Sequence, residues 1–201
     1  MPIKVSKKRD YRPHSEAMHG ANVLLELSAE KREGFYYEWM GSLLLCAFAY
    51  EGYLNFLGRV LFPSWEEFER QLSWQSKTKL LADRLSAKID EGKEPFQTIR
   101  LLFKFRDRIA HPKPKELEEE YETTSEELAS NLYQVTKSEE EIFCCEANAK
   151  LCIERTNEMM RFLFEHAEKT HRKEKPEKDW NAFILNAPFV SGGQSGSAGS
   201  A

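Results

Sequence analysis

Phe35-Tyr36-Tyr37-Glu38-Trp39-Met40-Gly41-Ser42-Leu43-Leu44-Leu45-Cys46-Ala47-Phe48-Ala49-Tyr50-Glu51-Gly52-Tyr53-Leu54-Asn55-Phe56-Leu57-Gly58-Arg59-Val60-Leu61-Phe62 is the stretch on which the fold turns. Its apolar side chains at Trp39, Met40, Leu43, Leu44, Ala47, Tyr50, Leu54, Leu57 and Leu61 recur at spacings of three and four. That is the period of a helix and not of a strand. Gly34 punctuates the start and Pro63 stops the end. Both faces are largely apolar, which predicts a central helix or one that turns a face toward a partner chain.

Outward from this helix the same period persists. Ser15 to Lys31, with Val23, Leu24 and Leu27, reads as a first helix. Ser64 ahead of Glu66 and Glu67 reads as the cap of a short one. Ser76 to Ile89 places Leu80, Leu81, Leu85 and Ile89 on one side, and Gly92 breaks it. Pro95 opens a helix ending near Ala110 or His111, and Lys113 to Thr124 is a connector. A last long helix runs from Ser125 or Ser138 to His171. Ile142, Phe143, Cys145, Ala149, Cys152, Ile153, Met160, Leu163 and Phe164 are its apolar positions. No run alternates long enough to claim a strand. The expectation is an all-α, up-and-down bundle of four to five main helices over residues 15–190. A basic arm at 1–14 precedes it, and Trp180, Phe183, Ile184, Leu185, Phe189 and Val190 are expected to dock back on it. Residues 191–201 read as a flexible linker or cloning scar.

Composition narrows the function. The 201 residues hold 29 Lys plus Arg against 33 Asp plus Glu, a net charge of -4, which excludes a uniformly basic nucleic-acid coat but leaves room for a local basic site. The uncharged stretch from Trp39 to Tyr50 is too short for a bilayer, which needs about 20 residues. Residues 1–14 lack an apolar signal segment, so a cytoplasmic protein away from membranes is expected. Cys46, Cys144, Cys145 and Cys152 form no Cys-x-x-Cys pair, and no His stands at zinc-finger spacing from them. They read as reduced thiols, with no metal and no cofactor.

The chemistry concentrates in Phe103-Lys104-Phe105-Arg106-Asp107-Arg108-Ile109-Ala110-His111-Pro112. With Arg106 at zero on a helical wheel, Ile99 lies at about 20°, Ala110 at about 40°, Leu102 at about -40° and Phe103 at about 60°. Arg106 therefore sits inside the apolar stripe, where a guanidinium needs an anion or a cleft. Arg108 lies on the outer side and needs no special partner. Pro112 drives His111 out of the α region, so the helix ends there and the ring leaves the helical register. Arg106 and His111 span about 7.5 Å of axis, close enough to border one phosphate. An imidazole can take the 2′-hydroxyl proton of RNA or protonate the leaving 5′-oxygen, while an arginine braces the phosphoryl oxygens. One His cannot do both in one step, but a homodimer would supply two. The same residues could also simply end a helix, Arg106 paired to a buried acid and His111 capping last-turn carbonyls.

Arg106-Asp107-Arg108-Ile109-Ala110-His111 resembles the Arg-[Asn/Asp/His]-x-x-x-His motif of HEPN domains (higher eukaryotes and prokaryotes nucleotide-binding). The upstream helix with Ala49-Tyr50-Glu51-Gly52-Tyr53-Leu54-Asn55, followed by a short helix, is similar too, and the resemblance spans about Ser15 to His171. It implies a helical bundle, often homodimeric with motifs facing each other. In its catalytic branch it implies metal-independent endoribonuclease activity, frequently in toxin–antitoxin or phage-defence systems with a neutralising partner protein. Arg106 and His111 match the catalytic positions and Asp107 the polar one.

Glu51 is an acid inside its own apolar stripe, with Leu44 at about 20°, Ala47 at about -40° and Phe48 at about 60°. It is expected to pair with Arg106 or orient His111, with Asn55 in support one turn later. Lys104, Arg108, Lys113 and Lys115, with the arm from Lys4 to Arg12, are the basic residues that could receive RNA. Trp65 and Trp74 are expected to pack, with base stacking as their alternative. His166 and His171 read as surface residues, and Met159 and Met160 as core or interface filler. Against RNA binding stand seven Glu from Glu116 to Glu127 and the run Glu139-Glu140-Glu141. The first group reads as a solvated loop, a self-inhibiting gate or a partner-docking loop. The other reading of the whole chain is a non-catalytic interaction or nucleotide-sensing module of a defence or regulatory complex.

Overall fold

In the computed structural model, residues 11–30, 33–120, 124 and 136–174 are described. The tail at 191–201, the segment holding Trp180 to Val190, Lys4 to Arg9 of the basic arm and much of the acidic connector lie outside them. Among the described residues every regular element is a helix. They are α1 (Pro13–Glu30), α2 (Phe35–Leu61), α3 (Trp65–Phe68), a 3₁₀ turn at Glu69–Gln71, α4 (Trp74–Arg84), α5 (Phe96–Ala110), α6 (Glu139–Phe143) and α7 (Glu146–Glu174). Five are long, and α2 packs against α1, α4, α5 and α7. The all-α bundle read from the sequence is the fold.

The punctuation works as the residues dictate. Gly34 stands at φ 80°, a left-handed conformation open to glycine, and lets the chain reverse from α1 into α2. Phe62 and His111 each precede a proline and each sit outside the α region, at φ -128°, which ends α2 and α5. At Gly58 a Cβ would overlap the indole of Trp65, so the absent side chain is what lets α3 lie against α2. Trp65 is fully buried, stacked on Phe62 and edge-on to Phe68.

Several local readings change. α1 begins at Pro13, so Pro13 and His14 belong to the bundle rather than to the arm, and His14 is buried. The buried face of α1 is His14, Met18, Ala21 and Ser28, while Leu27 is exposed. Small residues there allow close approach to α2, sealed by Ser42 Oγ donating to the Ala21 carbonyl at 2.8 Å and Trp39 Nε1 to Ser28 Oγ at 3.0 Å. Ser64 makes no side-chain cap. Ser73 caps α4 instead, accepting from the Ser76 N–H, and α4 stops at Arg84, leaving Ile89 outside it. The last helix is broken: Ser138 and Glu141 form a capping box on α6, and the chain restarts at Glu146. The break turns Cys144, not Cys145, into the core.

Aromatic packing fixes α4 and α5 beside α2. Trp74 stacks on Phe103 at 4.5 Å between centroids, and Tyr50 meets both rings edge-on. Thr78 Oγ1 donates to the Trp74 carbonyl at 2.9 Å, so the Tyr50 O–H donates to Thr78 at 3.0 Å. Burial of both indoles removes the base-stacking option for Trp65 and Trp74. Met159 and Met160 are core residues. All four cysteines are free thiols. Burial pushes Cys46 up to about 12, and its Sγ donates to Thr156 Oγ1 at 3.3 Å.

Candidate functional site

The first half of α5 is core: Phe96, Ile99, Leu102 and Phe103 are all buried. Rotating onward by 100° per residue puts the last turns at the edge of the bundle. Arg106 stays on the inner side. Its Nη2 donates to Glu51 Oε2 at 3.3 Å, its Cζ lies 4.9 Å from the Phe103 ring centroid, and its side chain is 23 % exposed. Its Nε lies 3.2 Å from Asp107 Oδ1 but is not aligned for a hydrogen bond. The expected Glu51–Arg106 pair is thus present across the α2–α5 interface.

Glu51 has a second cation that the sequence reading did not include. Lys77 of α4 donates from Nζ to Glu51 Oε1 at 3.4 Å, and its side chain is only 5 % exposed. One carboxylate therefore bridges three helices. The signal was available: Lys77 stands four residues before Leu81 and three before Leu80, on the apolar side of its own helix. A cation on an apolar face of α4 and an acid on an apolar face of α2 are complementary needs. Asn55 joins neither Glu51 nor Arg106 by a hydrogen bond among the described residues, and its Oδ1 is buried without a partner.

His111 stands elsewhere. Its backbone N–H closes the helix on the Asp107 carbonyl at 3.0 Å, and its side chain is exposed rather than capping carbonyls. It borders an open groove of about 810 Å³ whose lining includes Lys104, Asp107, Arg108, Lys113, Lys115, Ser138 and Glu140. All four basic residues singled out beside the motif line this groove together with the imidazole. Arg106 is not among the lining residues; its neighbour Asp107, whose Oδ1 lies 3.2 Å from its Nε, is.

The cations of the groove are engaged from α6. Arg108 forms ion pairs with Glu139 and, through Nε at 3.3 Å, with Glu140. Lys115 Nζ contacts Glu140 Oε1 at 2.7 Å, and Lys104 Nζ lies 3.9 Å from Glu139 Oε2. Arg108 is therefore not the partnerless outer residue that the helical wheel describes. Its bond holds the Glu139 carboxyl below the usual range, and Lys115 does the same for Glu140. Lys113 makes no ion pair among the described residues. The described part of the connector, Glu116 and Glu118 to Glu120, is exposed and forms none of these contacts, so among the described residues the acids that touch the basic wall are those of α6.

His166 Nδ1 donates to the Phe162 carbonyl at 2.9 Å and the ring lies against that of Phe162, half-buried rather than free on the surface. The side chain of His171 lies outside the described residues. Among the described residues no cluster of His, Cys, Asp and Glu is arranged to hold a metal ion, and no helix is long and apolar enough to cross a membrane. No protein-family model, curated protein or solved structure matches the chain, so its functional reading rests on the geometry of this groove.

Proposed function

We propose that the chain is a metal-independent endoribonuclease of the HEPN type, acting in the cytoplasm within a toxin–antitoxin or phage-defence system. The observation that carries this reading is an exposed imidazole, His111, on an open groove walled by Lys104, Arg108, Lys113 and Lys115. A single strand laid along that wall brings a phosphodiester to the imidazole. His111 accepts the 2′-hydroxyl proton, the 2′-oxygen bonds to phosphorus, and the P–O5′ bond breaks. The leaving 5′-oxygen takes a proton from a second imidazole, supplied by a homodimer that brings two grooves together. The products are a 2′,3′-cyclic phosphate and a 5′-hydroxyl, with no change in oxidation state. Arg106 braces the α5 terminus through Glu51, and the cations that meet the phosphoryl oxygens in this reading are those of the groove wall.

The test incubates purified wild type and His111→Ala with total RNA in EDTA. Cleavage by the wild type alone is expected, and intact RNA in both samples overturns the proposal.

A second reading has its own observation. Arg106 is committed to Glu51 alongside the buried Lys77, and it stands outside the groove. That favours a non-catalytic helical interaction module in which the Arg106 pair only holds α2, α4 and α5 together. Glu51→Gln separates the two. Lost stability with full cleavage makes the pair structural, and lost cleavage at an unchanged melting temperature makes it part of the site.

A further inference from the structure

Arg108, Lys104 and Lys115 come to one place from two elements, the last turns of α5 and the connector beyond Pro112. There they surround two consecutive carboxylates. Arg108 contacts both Glu139 and Glu140, Lys115 holds Glu140, and Lys104 approaches Glu139. Within α6 the capping duty falls to Ser138 and Glu141, which leaves Glu139 and Glu140 free to reach across to α5. The attachment is largely ionic. Phe143 packs on Phe105 at 5.4 Å, but Ile142 is 64 % exposed and adds little to the hold. The Glu139 pairs are open to water, the acid being 69 % exposed, and are individually weak and screened by salt, while Glu140 is more sheltered at 13 %.

A guanidinium flanked by two ammonium groups, arranged around two adjacent anionic side chains, suits two adjacent backbone phosphates. With Trp65 and Trp74 buried, the groove is lined by cations rather than stacking platforms, so it reads backbone charge before base sequence. We infer that Glu139 and Glu140 occupy the positions of two consecutive phosphates of single-stranded RNA, and that Arg108, Lys104 and Lys115 are the phosphate-binding residues of the His111 groove. This rests on the RNA-cleaving reading of the same groove. RNA entering the groove displaces the α6 carboxylates from these cations, and Lys113, which makes no ion pair among the described residues, makes the first contact.

The experiment measures binding of a short, fluorescein-labelled, mixed-sequence single-stranded RNA by anisotropy at several salt concentrations. It uses the full chain carrying His111→Ala so that the probe stays intact. Adding Glu139→Gln and Glu140→Gln is expected to tighten binding about tenfold and to steepen the slope of log K against log salt by about 1.4, as two further phosphate contacts require. Adding Arg108→Gln to that background removes most of the gain. Glu26→Gln with Glu30→Gln, the same charge change on α1 away from the groove, gives a much smaller one. An unchanged affinity and slope overturn the inference, as does an equal gain from the α1 pair. A gain seen for a labelled polyglutamate peptide and not for RNA also overturns it, in favour of an acidic protein partner. Cleavage by the wild-type chain without this affinity gain removes the phosphate positions but keeps the ribonuclease. The affinity gain without cleavage by any chain that retains His111 keeps the binding site and removes the ribonuclease.

Discussion

Two carboxylate–cation clusters flank α5, and they are built in opposite ways. On the inner side one carboxylate, Glu51, serves two cations, Lys77 and Arg106, between three helices. On the outer side two carboxylates, Glu139 and Glu140, serve Arg108, Lys115 and Lys104 at the rim of an open groove. The inner cluster holds the most sealed cation, Lys77 at 5 % exposed, and the outer one the most open acid, Glu139 at 69 %. Where water is excluded, a cation without its carboxylate is expensive, and the cluster becomes part of the framework. Where water enters, each partner is replaceable by solvent or by another anion, and the cluster becomes exchangeable.

The sharpest way to break this contrast is Glu51→Ala. It strands the buried Lys77, and an expected loss of about 2–3 kcal/mol follows from leaving that ammonium without its carboxylate, the Arg106 pair being part-exposed. Urea unfolding measures it. A loss below about 1 kcal/mol would place Glu51 with the exposed pairs and erase the distinction.

A second test uses pH. His14 is buried among Tyr53 and Phe56 with its Nε2 unpartnered, and burial, assisted by Arg12, lowers it from 6.5 to about 4. Between those values the unfolded chain binds a proton that the folded chain does not, so stability falls as pH falls. The expected loss approaches about 3 kcal/mol by pH 4. The α6 carboxyls behave differently. Held below their ordinary value, they stay ionised above it, and their contribution is lost only as pH falls through the lowered folded values. Acidification from pH 6.5 to 5 should therefore lower the denaturation midpoint while salt-dependent RNA binding keeps its α6 component. A His14→Leu chain whose midpoint falls equally steeply over that range would refute this assignment.

The smallest expected effect sharpens the outer side of the comparison. Glu139→Gln leaves the urea midpoint within the error of the measurement, because its carboxylate is well exposed and screened. A large destabilisation would show α6 to be framework after all.

Particular residues show how much of this could be read from the chain. Gly34, Pro63 and Pro112 bound α2 and α5 to within a residue, because a left-handed φ and the pre-proline restriction act on neighbours in sequence. Arg106 and Glu51 each stood out as a charge on an apolar stripe, and each found the other 55 residues away. Lys77 carries the same mark, a cation beside Leu80 and Leu81, but the leucines dominate the period of its helix. The break at Cys144 was not legible: a continuous apolar period runs through it, and only the packing of Phe143 on Phe105 and the capping box at Ser138 set α6 apart. Two acidic runs, Glu116 to Glu127 and Glu139 to Glu141, could oppose the basic wall. Charge runs give sign, but not which cation they reach.

Local rules, then, determined that the chain is helical and where α2 and α5 stop, since propensity, period and proline sterics are settled within a few residues of chain. The bundle decided which charges are buried together, that the indoles face the core, and that His111 rather than Arg106 lines the groove. Those outcomes depend on rotation about helix axes and on contacts between residues tens of positions apart, where burial converts a distance of a few ångströms into the difference between a structural pair and an exchangeable one.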